Sequence, residues 1–297
     1  MRSSWIILTA LLALLTAAAF WAADIEGRAR QAPPSSVADM VSVTSPVGSD
    51  AATRNLPEGS PTEPTMQELV ELGQHLLTHI RHNVHDYTAT LVKRERIAGQ
   101  LGPETRMALK LRHPASGSGG PSVYLKFLEP VAQRGREVIW SADRPQGKLI
   151  AHEGGLLNLL SVELDPHGTL AMLGNKYPIT EIGLVRLLEK MLEKIDRQVD
   201  LSQCQIEVRE HQRVGDRECR LFQVTQPRHI PGADFYIAQF FLDTERQLPL
   251  RYAAFLWPTK EGGPPPLEEE YTYLDLRTNV GLNDADFDPD NPQYQFP

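Results

Sequence analysis

The chain has 297 residues, of which 41% are hydrophobic and 23% charged, and its formal net charge is −8 at pH 7. This acidic balance argues against a nucleic-acid-binding protein, because such proteins present a basic surface to phosphates. The part of the chain beyond residue 65 is long enough for one sizeable domain.

The first 23 residues predict a signal peptide or an N-terminal membrane anchor. Residues 5–23 are uncharged and mostly apolar, and Arg2 precedes them. The run is longer than the apolar core of most signal peptides and close to the ~20 residues that span a bilayer. Both alternatives stay open, and both place the remaining chain outside the cytoplasm, in the periplasm or on a membrane facing it.

Residues 24–64 predict a disordered linker. They contain no aromatic residue and are rich in proline, serine and threonine, so they bury too little apolar surface to offset chain entropy. The ends of such a random coil lie roughly 35 Å apart. If the anchor is retained, the linker would let the domain at 65–297 search the space above a membrane.

The domain is predicted to begin with a helix and to continue as an antiparallel meander. Leucines at helical spacing indicate a helix over residues 66–85, with Thr65 as N-cap and Glu68 three positions later. The period then changes to two, and the short alternating segments between glycine turns indicate strands. These strands are predicted at 86–97, 105–112, 122–128, 136–142 and 148–152.

A second helix, predicted at 181–199 with Thr180 as its cap, interrupts the strands. Its wide apolar stripe indicates a helix that lies on an apolar surface. Two hairpins follow at 204–225 and 235–257, and a last strand is predicted at 268–277. About nine to eleven strands without a βαβ rhythm predict a curved antiparallel sheet with a helix in its concavity.

The hairpin at 235–257 is the most informative segment, because it is apolar on both faces. Side chains alternate along a strand, so both faces need cover from helices, a second sheet or a bound apolar molecule. A gap between helix and sheet is where a ligand would bind, although the same aromatic residues could form a closed core. The candidate cavity residues are Trp140, Leu184, Leu188, Phe235, Phe241, Phe255 and Trp257.

Metal and cofactor sites are weakly indicated. His75, His79 and His82 fall on one arc of the first helix and are weak candidates for metal ligands. The sequence has no HExxH motif, so an ordinary helix flank is the alternative, and no cofactor is predicted. The alternating aspartates at 284–290 lack the glycine and the final glutamate of a calcium loop, so we predict a solvated chain end.

The two cysteines, Cys204 and Cys219, suggest a disulfide in an exported protein. The predicted hairpin geometry argues against it. If Gly215 and Asp216 form a two-residue turn, Cys219 lies opposite Gln212, which leaves Cys204 roughly 25 Å away at strand rise. A disulfide needs Cα atoms within about 7 Å, so both outcomes stay open.

As a set, several segments resemble a bacterial family, domain of unknown function 1571. They are 87–99 (YTATLVKRERIAG), 135–140 (GREVIW), 164–183 (LDPHGTLAMLGNKYPITEIG) and 286–296, and the third is the most specific. That family is distantly similar in fold to the periplasmic lipoprotein carriers LolA, LolB and LppX. The resemblance implies an α+β fold, an incomplete antiparallel β-barrel (half-barrel) with helices packed on the concave face, an apolar cavity and no established reaction.

These observations predict a non-enzymatic envelope protein that binds a lipid or the acyl chain of a lipoprotein. One alternative is an envelope sensor or protein-interaction module with a closed core and another envelope protein as its partner. A metal-dependent hydrolase is a lesser alternative, because it depends on the three histidines alone. The linker and the possible anchor distinguish this chain from a freely diffusing carrier, which would need neither.

Overall fold

The computed structural model of the chain describes residues 64–114, 120–155, 158–196, 203–229 and 232–297. The predictions for residues 1–23 and for almost all of 24–64 lie outside these ranges. In the described part of the chain, no helix has the length and apolarity needed to cross a membrane.

One antiparallel sheet contains all twelve strands of the described residues. Its order is β7-β6-β5-β4-β3-β1-β12-β11-β10-β9-β8, with β2 paired to β1. Strands β1 and β12 pair with each other and join the two halves of the meander, while β7 and β8 form the open edges. The strands are β1 (Asp86–Ile97), β2 (Gln100–Leu101), β3 (Thr105–Arg112), β4 (Ser122–Glu129), β5 (Glu137–Ser141), β6 (Leu149–His152), β7 (Val162–Leu164), β8 (Gln205–Val214), β9 (Arg217–Thr225), β10 (Ile237–Asp243), β11 (Leu248–Phe255) and β12 (Leu267–Thr278).

The fold is therefore α+β, with an open half-barrel and helices on its concave face. The helices are α1 (Met66–Asn83), the single turn α2 (Thr169–Met172) and α3 (Leu184–Asp196). Helix α1 begins as predicted, because the Thr65 hydroxyl accepts a hydrogen bond from the Glu68 N–H and the Glu68 carboxylate accepts one from the Thr65 N–H. Helices α1 and α3 pack against each other over the sheet.

The start of α3 differs from the prediction. Residues Ile179–Glu181 form a separate 3-10 turn, and the helix begins at Leu184 rather than at 181. Its first N–H is capped by a strand residue, since Leu184 N donates to the Tyr87 hydroxyl at 3.0 Å. Gly183 has a φ of +114°, and a Cβ there would lie 2.7 Å from Leu111 Cδ1, so a glycine is needed at this junction. Thr180 is thus not the cap.

The remaining strand predictions agree with the structure to within two residues. Strands β1 and β3 have the predicted bounds, and the β8–β9 turn lies at Gly215 and Asp216 as expected. Strands β2 and β7 were not predicted, because two or three residues are too few to show an alternating pattern.

Both faces of the apolar hairpin are buried. Strand β11 is buried at every position except its last, and Phe241 of β10 is fully buried. The face that carries Phe240 lies towards the helices. On the other face, the Arg251 guanidinium lies 4.9 Å from the centre of the Phe241 ring, and Glu270 fixes it with a hydrogen bond of 2.8 Å. An arginine therefore helps to cover the second face, a possibility that the sequence analysis did not consider.

The prediction of a solvated chain end holds for Asp284, Asp288 and Asp290, which are exposed, but not for the aromatic residues around them. Residues 282–296 pack on the sheet face opposite the helices, where the ring of Tyr294 stacks on that of Tyr124 with centroids 4.1 Å apart. The backbone N–H of Gln295 donates to the buried Glu137 carboxylate at 3.0 Å. The aromatic residues near the end were the available signal, because an aromatic side chain gains much from burial.

Of the two outcomes left open for Cys204 and Cys219, the structure shows the one without a disulfide. Both residues lie in the described range 203–229, and no disulfide joins them. Cys219 pairs with Gln212 in the β8–β9 register, whereas Cys204 precedes the first residue of β8 at the other end of the hairpin. Burial raises the pKa of the Cys219 thiol to about 12, so this side chain behaves as a small apolar group.

We expect Tyr87→Phe to lower the free energy of unfolding by about 1–3 kcal/mol, because the buried Leu184 N–H loses its acceptor. Urea denaturation followed by circular dichroism measures this change. Tyr236→Phe is the matched control, since the Tyr236 hydroxyl makes no hydrogen bond among the described residues. Equal stability of both variants would show that Tyr87 does not cap α3.

Candidate functional site

A cleft lies between α1, α3 and the strands β9–β11. It offers about 70 Å³ to the centres of water-sized molecules. One water needs about 10–15 Å³ on this measure, so the cleft has room for several waters or for a short stretch of hydrocarbon chain. The walls are Met66, Leu69, Leu72 and Gly73 from α1, Leu188, Met191, Leu192, Lys194 and Ile195 from α3, and Phe222, Val224, Phe235, Ala238, Gln239, Phe240 and Tyr252 from the sheet side.

The cleft is apolar because apolar side chains from α3, β9 and β10 all face it. The α3 stripe recurs at helical spacing, and β9 and β10 contribute alternate residues that face the helices. Phe222 pairs with Phe240, and Val224 pairs with Ala238, across the two strands. Among the lining residues, only Lys194, Gln239 and Tyr252 have nitrogen or oxygen atoms in their side chains.

Small residues let the two helices approach each other and leave space on the sheet side of the cleft. A Cβ on Gly73 would lie 2.9 Å from Leu192 Cδ2, so the glycine allows α1 to approach α3 at this point. Ala238 contributes only a methyl group to the sheet side. Leu188 is buried, but the other large lining residues of the helices are half-buried, as the cleft is partly open to solvent.

Of the seven predicted cavity residues, Leu188 and Phe235 lie in the cleft wall. Leu184 is fully buried at the opposite end of α3, beside Tyr87. Sequence reasoning missed Met66, Leu69, Leu72, Met191, Leu192 and Ile195. Their signal was the apolar stripe of each helix, which by itself predicts core packing equally well.

The other four predicted residues do not line the cleft. Phe241 points to the opposite face of the sheet, under Arg251. Trp140 is buried, and its indole N–H donates to the carbonyl of Gly147 at 3.1 Å. The remaining two, Phe255 and Trp257, are half-buried outside the cleft wall, with Trp257 close to the rings of Tyr236 and His229.

Two of the three candidate histidines of α1, His79 and His82, bond within their own helix. His75 and His82 are exposed and His79 is half-buried. His82 Nδ1 lies 2.8 Å from the carbonyl oxygen of Thr78, and His79 Nδ1 lies 3.2 Å from Asn83 Nδ2. Across the described ranges, no three His, Cys, Asp or Glu side chains form a group that could hold a metal ion.

A buried ion cluster adjoins the cleft at Lys194. Its centre is the Glu269 side chain of β12, which is 1% exposed. The Lys194 and Lys176 ammonium groups both contact this carboxylate, the second at 2.8 Å, and the Tyr177 hydroxyl donates to it at 2.9 Å. Helix α3 and the loop that precedes it are therefore attached to the sheet at one carboxylate.

A second buried carboxylate, Glu95 of β1, lies directly opposite Glu269 in the sheet register. Like charges in this position repel each other. Glu95 is compensated by Lys93 at 3.1 Å, by the backbone N–H of Lys176 at 3.0 Å and by the Tyr271 hydroxyl at 2.6 Å. Glu269 thus takes both of its cations from outside the sheet, whereas Glu95 has a cation from its own strand and takes donors from the loop and from β12.

The loop Asn175–Tyr177 supplies half of these groups. Asn175 accepts a hydrogen bond from the Lys93 ammonium at 2.6 Å, Lys176 bonds both carboxylates, and Tyr177 bonds Glu269. This loop is the NKY of the most specific segment in the sequence, GNKYPITEIG. The structure gives that segment a physical role, which is to neutralise two facing carboxylates.

The ionisable groups of the cluster are fully engaged with each other. Burial acts to raise the pKa of Glu269, but Lys194 and Lys176 hold this pKa below its ordinary value of 4.5. Burial acts to lower the pKa of Lys194, but Glu269 holds it above 10.5. Both groups therefore keep their charges near neutral pH, and their ion pair is intact there.

Comparison with known proteins gives one family. The model of the family described as Protein of unknown function (DUF1571) matches residues 84–296. A search of curated proteins finds no match.

Solved structures give distant similarities. A putative outer membrane lipoprotein-sorting protein domain from Vibrio parahaemolyticus has 12% identity and a TM-score of 0.36, over 74% of this chain and 95% of that one. A LolA superfamily protein from Nitrosomonas europaea has 10% identity and a TM-score of 0.28, over 76% and 98%. The MucA/MucB complex of Pseudomonas aeruginosa has 17% identity and a TM-score of 0.39, over 74% and 60%. All three TM-scores are too low to transfer a function.

We expect Glu269→Gln to lower the free energy of unfolding at pH 7 by about 3–5 kcal/mol, because the half-buried Lys194 loses its ion-pair partner and Lys176 keeps only Glu268. Since the folded-state pKa of Glu269 is lowered, its contribution is present above pH 4.5 and is lost as pH falls below that value. The wild type should therefore lose stability in acid more steeply than the variant. Denaturant titrations from pH 3 to 7 measure how steeply the free energy of unfolding changes with pH in each protein, with Glu261→Gln, an exposed site, as control. The same pH dependence for Glu269→Gln and wild type would contradict the stabilising role of the Glu269 carboxylate.

Proposed function

The chain belongs to the DUF1571 family, and we propose that it binds an apolar ligand, a lipid or the acyl chain of a lipoprotein, in the cleft between α1 and α3. The observation that carries this proposal is a wall of apolar side chains, several of them only half-buried, around a space large enough for hydrocarbon. Water in such a space makes few hydrogen bonds, and a hydrocarbon chain would displace it favourably.

The volume of the cleft and the free energy of burial limit the length of acyl chain that the cleft can hold without a movement of the helices. Each buried methylene contributes about 0.8 kcal/mol, while association costs at least about 4 kcal/mol. The volume of about 70 Å³ accepts only part of a long acyl chain, so a complete chain requires α1 and α3 to separate. Met66 and Met191 suit such a site, because methionine adapts its shape to different partners.

The N-terminal segments would export the domain and attach it to a membrane. The apolar run at 5–23 would export the chain or anchor it in a membrane. The linker joins the domain immediately before Met66, a residue of the cleft wall. A retained anchor would therefore tether the cleft to the bilayer through a random coil whose ends lie roughly 35 Å apart on average, and the bilayer would be a source of lipid.

Binding without catalysis fits the polar groups at the cleft. Lys194, its one charged lining residue, is committed to Glu269. The remaining lining groups are hydrocarbon, a thioether, an amide and a phenol, which favour sequestration over acid–base chemistry.

A protein-interaction module is the second candidate. Leu159, Leu160, Leu170 and Leu173 are 74%, 63%, 59% and 48% exposed, and they flank the edge strand β7. Exposed leucines in one stretch are typical of a contact surface. If this surface were the functional site, filling the cleft would leave the function unchanged.

We expect Val224→Trp to abolish uptake of a fluorescent fatty acid, because the indole occupies the cleft. Gln223→Trp is the matched control. Gln223 precedes Val224 on β9, so its side chain points away from the cleft, and it is not among the residues of the cleft wall. Fluorescence titration of the 64–297 domain, purified without detergent, measures uptake, and circular dichroism checks folding. Equal uptake by both folded variants would exclude the cleft as the binding site.

We also expect affinity for saturated fatty acids to depend on chain length. It should rise about fourfold with each added methylene until the cleft is filled, and then level off. Competition titrations with acids of eight to sixteen carbons determine the curve. An affinity that does not vary with length would show that the headgroup, and not the chain, is bound.

A further inference from the structure

Strand β8 is an edge strand with an open backbone. In the described part of the sheet it pairs with β9 alone. It has ten residues, whereas β7 at the other edge has three. Exposed edges pair readily with other chains, and proteins blunt them by shortness, bulges, proline or charge. The short β7 is protected in this way, but the length of β8 gives it no such protection.

Only one half of β8 has a feature that hinders pairing with another strand. A bulge lies between Arg209 and Gln212, where His211 has a φ of +56°. The half Gln205–Arg209 keeps regular register with β9 and contains no proline or lysine. Its charged residues, Glu207 and Arg209, pair with each other at 2.6 Å, so they neutralise one another on the strand's own surface.

The unprotected half continues the wall of the cleft. Ile206 pairs with Val224, and Val208 pairs with Phe222. Cross-strand partners lie on the same face of a sheet, and both partners line the cleft. Ile206 and Val208 are half-buried. An apolar surface therefore extends without interruption from the cleft to the open edge.

We propose, as a step that rests on the proposed function, that the ligand is an acylated peptide. Its extended backbone adds a strand along Gln205–Arg209 while its acyl chain enters the cleft. Neighbouring strands lie about 4.8 Å apart, so an acyl chain on the added strand has only to cross β8 to reach Val224 and Phe222. Strand addition supplies hydrogen bonds and the cleft supplies apolar burial, and linking the two raises affinity without new contacts.

The test uses the full chain in phosphatidylcholine nanodiscs and three matched probes. One is an N-palmitoyl hexapeptide of serine, valine and threonine, and the other two are the same molecule with alternate amides N-methylated in one or the other register. The probes share one acyl chain, and empty nanodiscs measure how each probe partitions into lipid, so the remaining difference in binding reports strand pairing. We expect the unmethylated probe to bind at least tenfold more tightly than one of the methylated registers, and to slow hydrogen exchange at residues 205–209.

Three results would overturn the inference, and they are distinguishable. Equal affinity of all probes, with competition by palmitate, would reject strand addition and leave the cleft as a lipid site. No saturable binding of any acyl probe would reject the proposed function as well. A stable dimer without a probe in sedimentation velocity, with residues 205–209 protected from exchange, would show that a second copy occupies the edge.

Discussion

The packing of helices against this sheet depends on two buried carboxylates that face each other. Glu95 and Glu269 lie opposite one another on β1 and β12, where the halves of the sheet meet. Their repulsion is relieved only if cations and donors reach them. The Asn175–Tyr177 loop and Lys194 of α3 provide these groups. The ion cluster therefore determines where the helical segment between β7 and β8 lies on the sheet.

The cleft follows from how α3 is attached. Its first N–H bonds the Tyr87 hydroxyl, and its last turn is held by Lys194. Helix α1 approaches it closely at Gly73. These attachments fix the helices relative to the sheet at separate points, so side chains between them need not interdigitate fully with β9 and β10. The remaining space is lined by Leu188, Phe240 and their neighbours, and it continues along the sheet to the free half of β8.

Much of the fold could be predicted because it follows local rules. The capping box at Thr65, the strands of period two and the turn at Gly215 depend on neighbouring residues, and the structure agrees with them. Features that depend on distant contacts could not be predicted. The cap of α3 comes from a strand about a hundred residues earlier in the chain. The ring of Phe241 was expected to pack against helices, a second sheet or a ligand, but Arg251 covers it instead. The cleft was expected beneath α3, but most of its lining residues were not, since an apolar stripe does not distinguish a packed core from an open wall.

Native mass spectrometry is the most direct test of whether the cleft accepts a hydrocarbon chain. The protein would be produced with its export segment, recovered without detergent and sprayed from volatile buffer. We expect a population heavier than the polypeptide by the mass of one lipid or acyl group, released when collision energy is raised. A single species at the polypeptide mass, unchanged after incubation with palmitate, would contradict it.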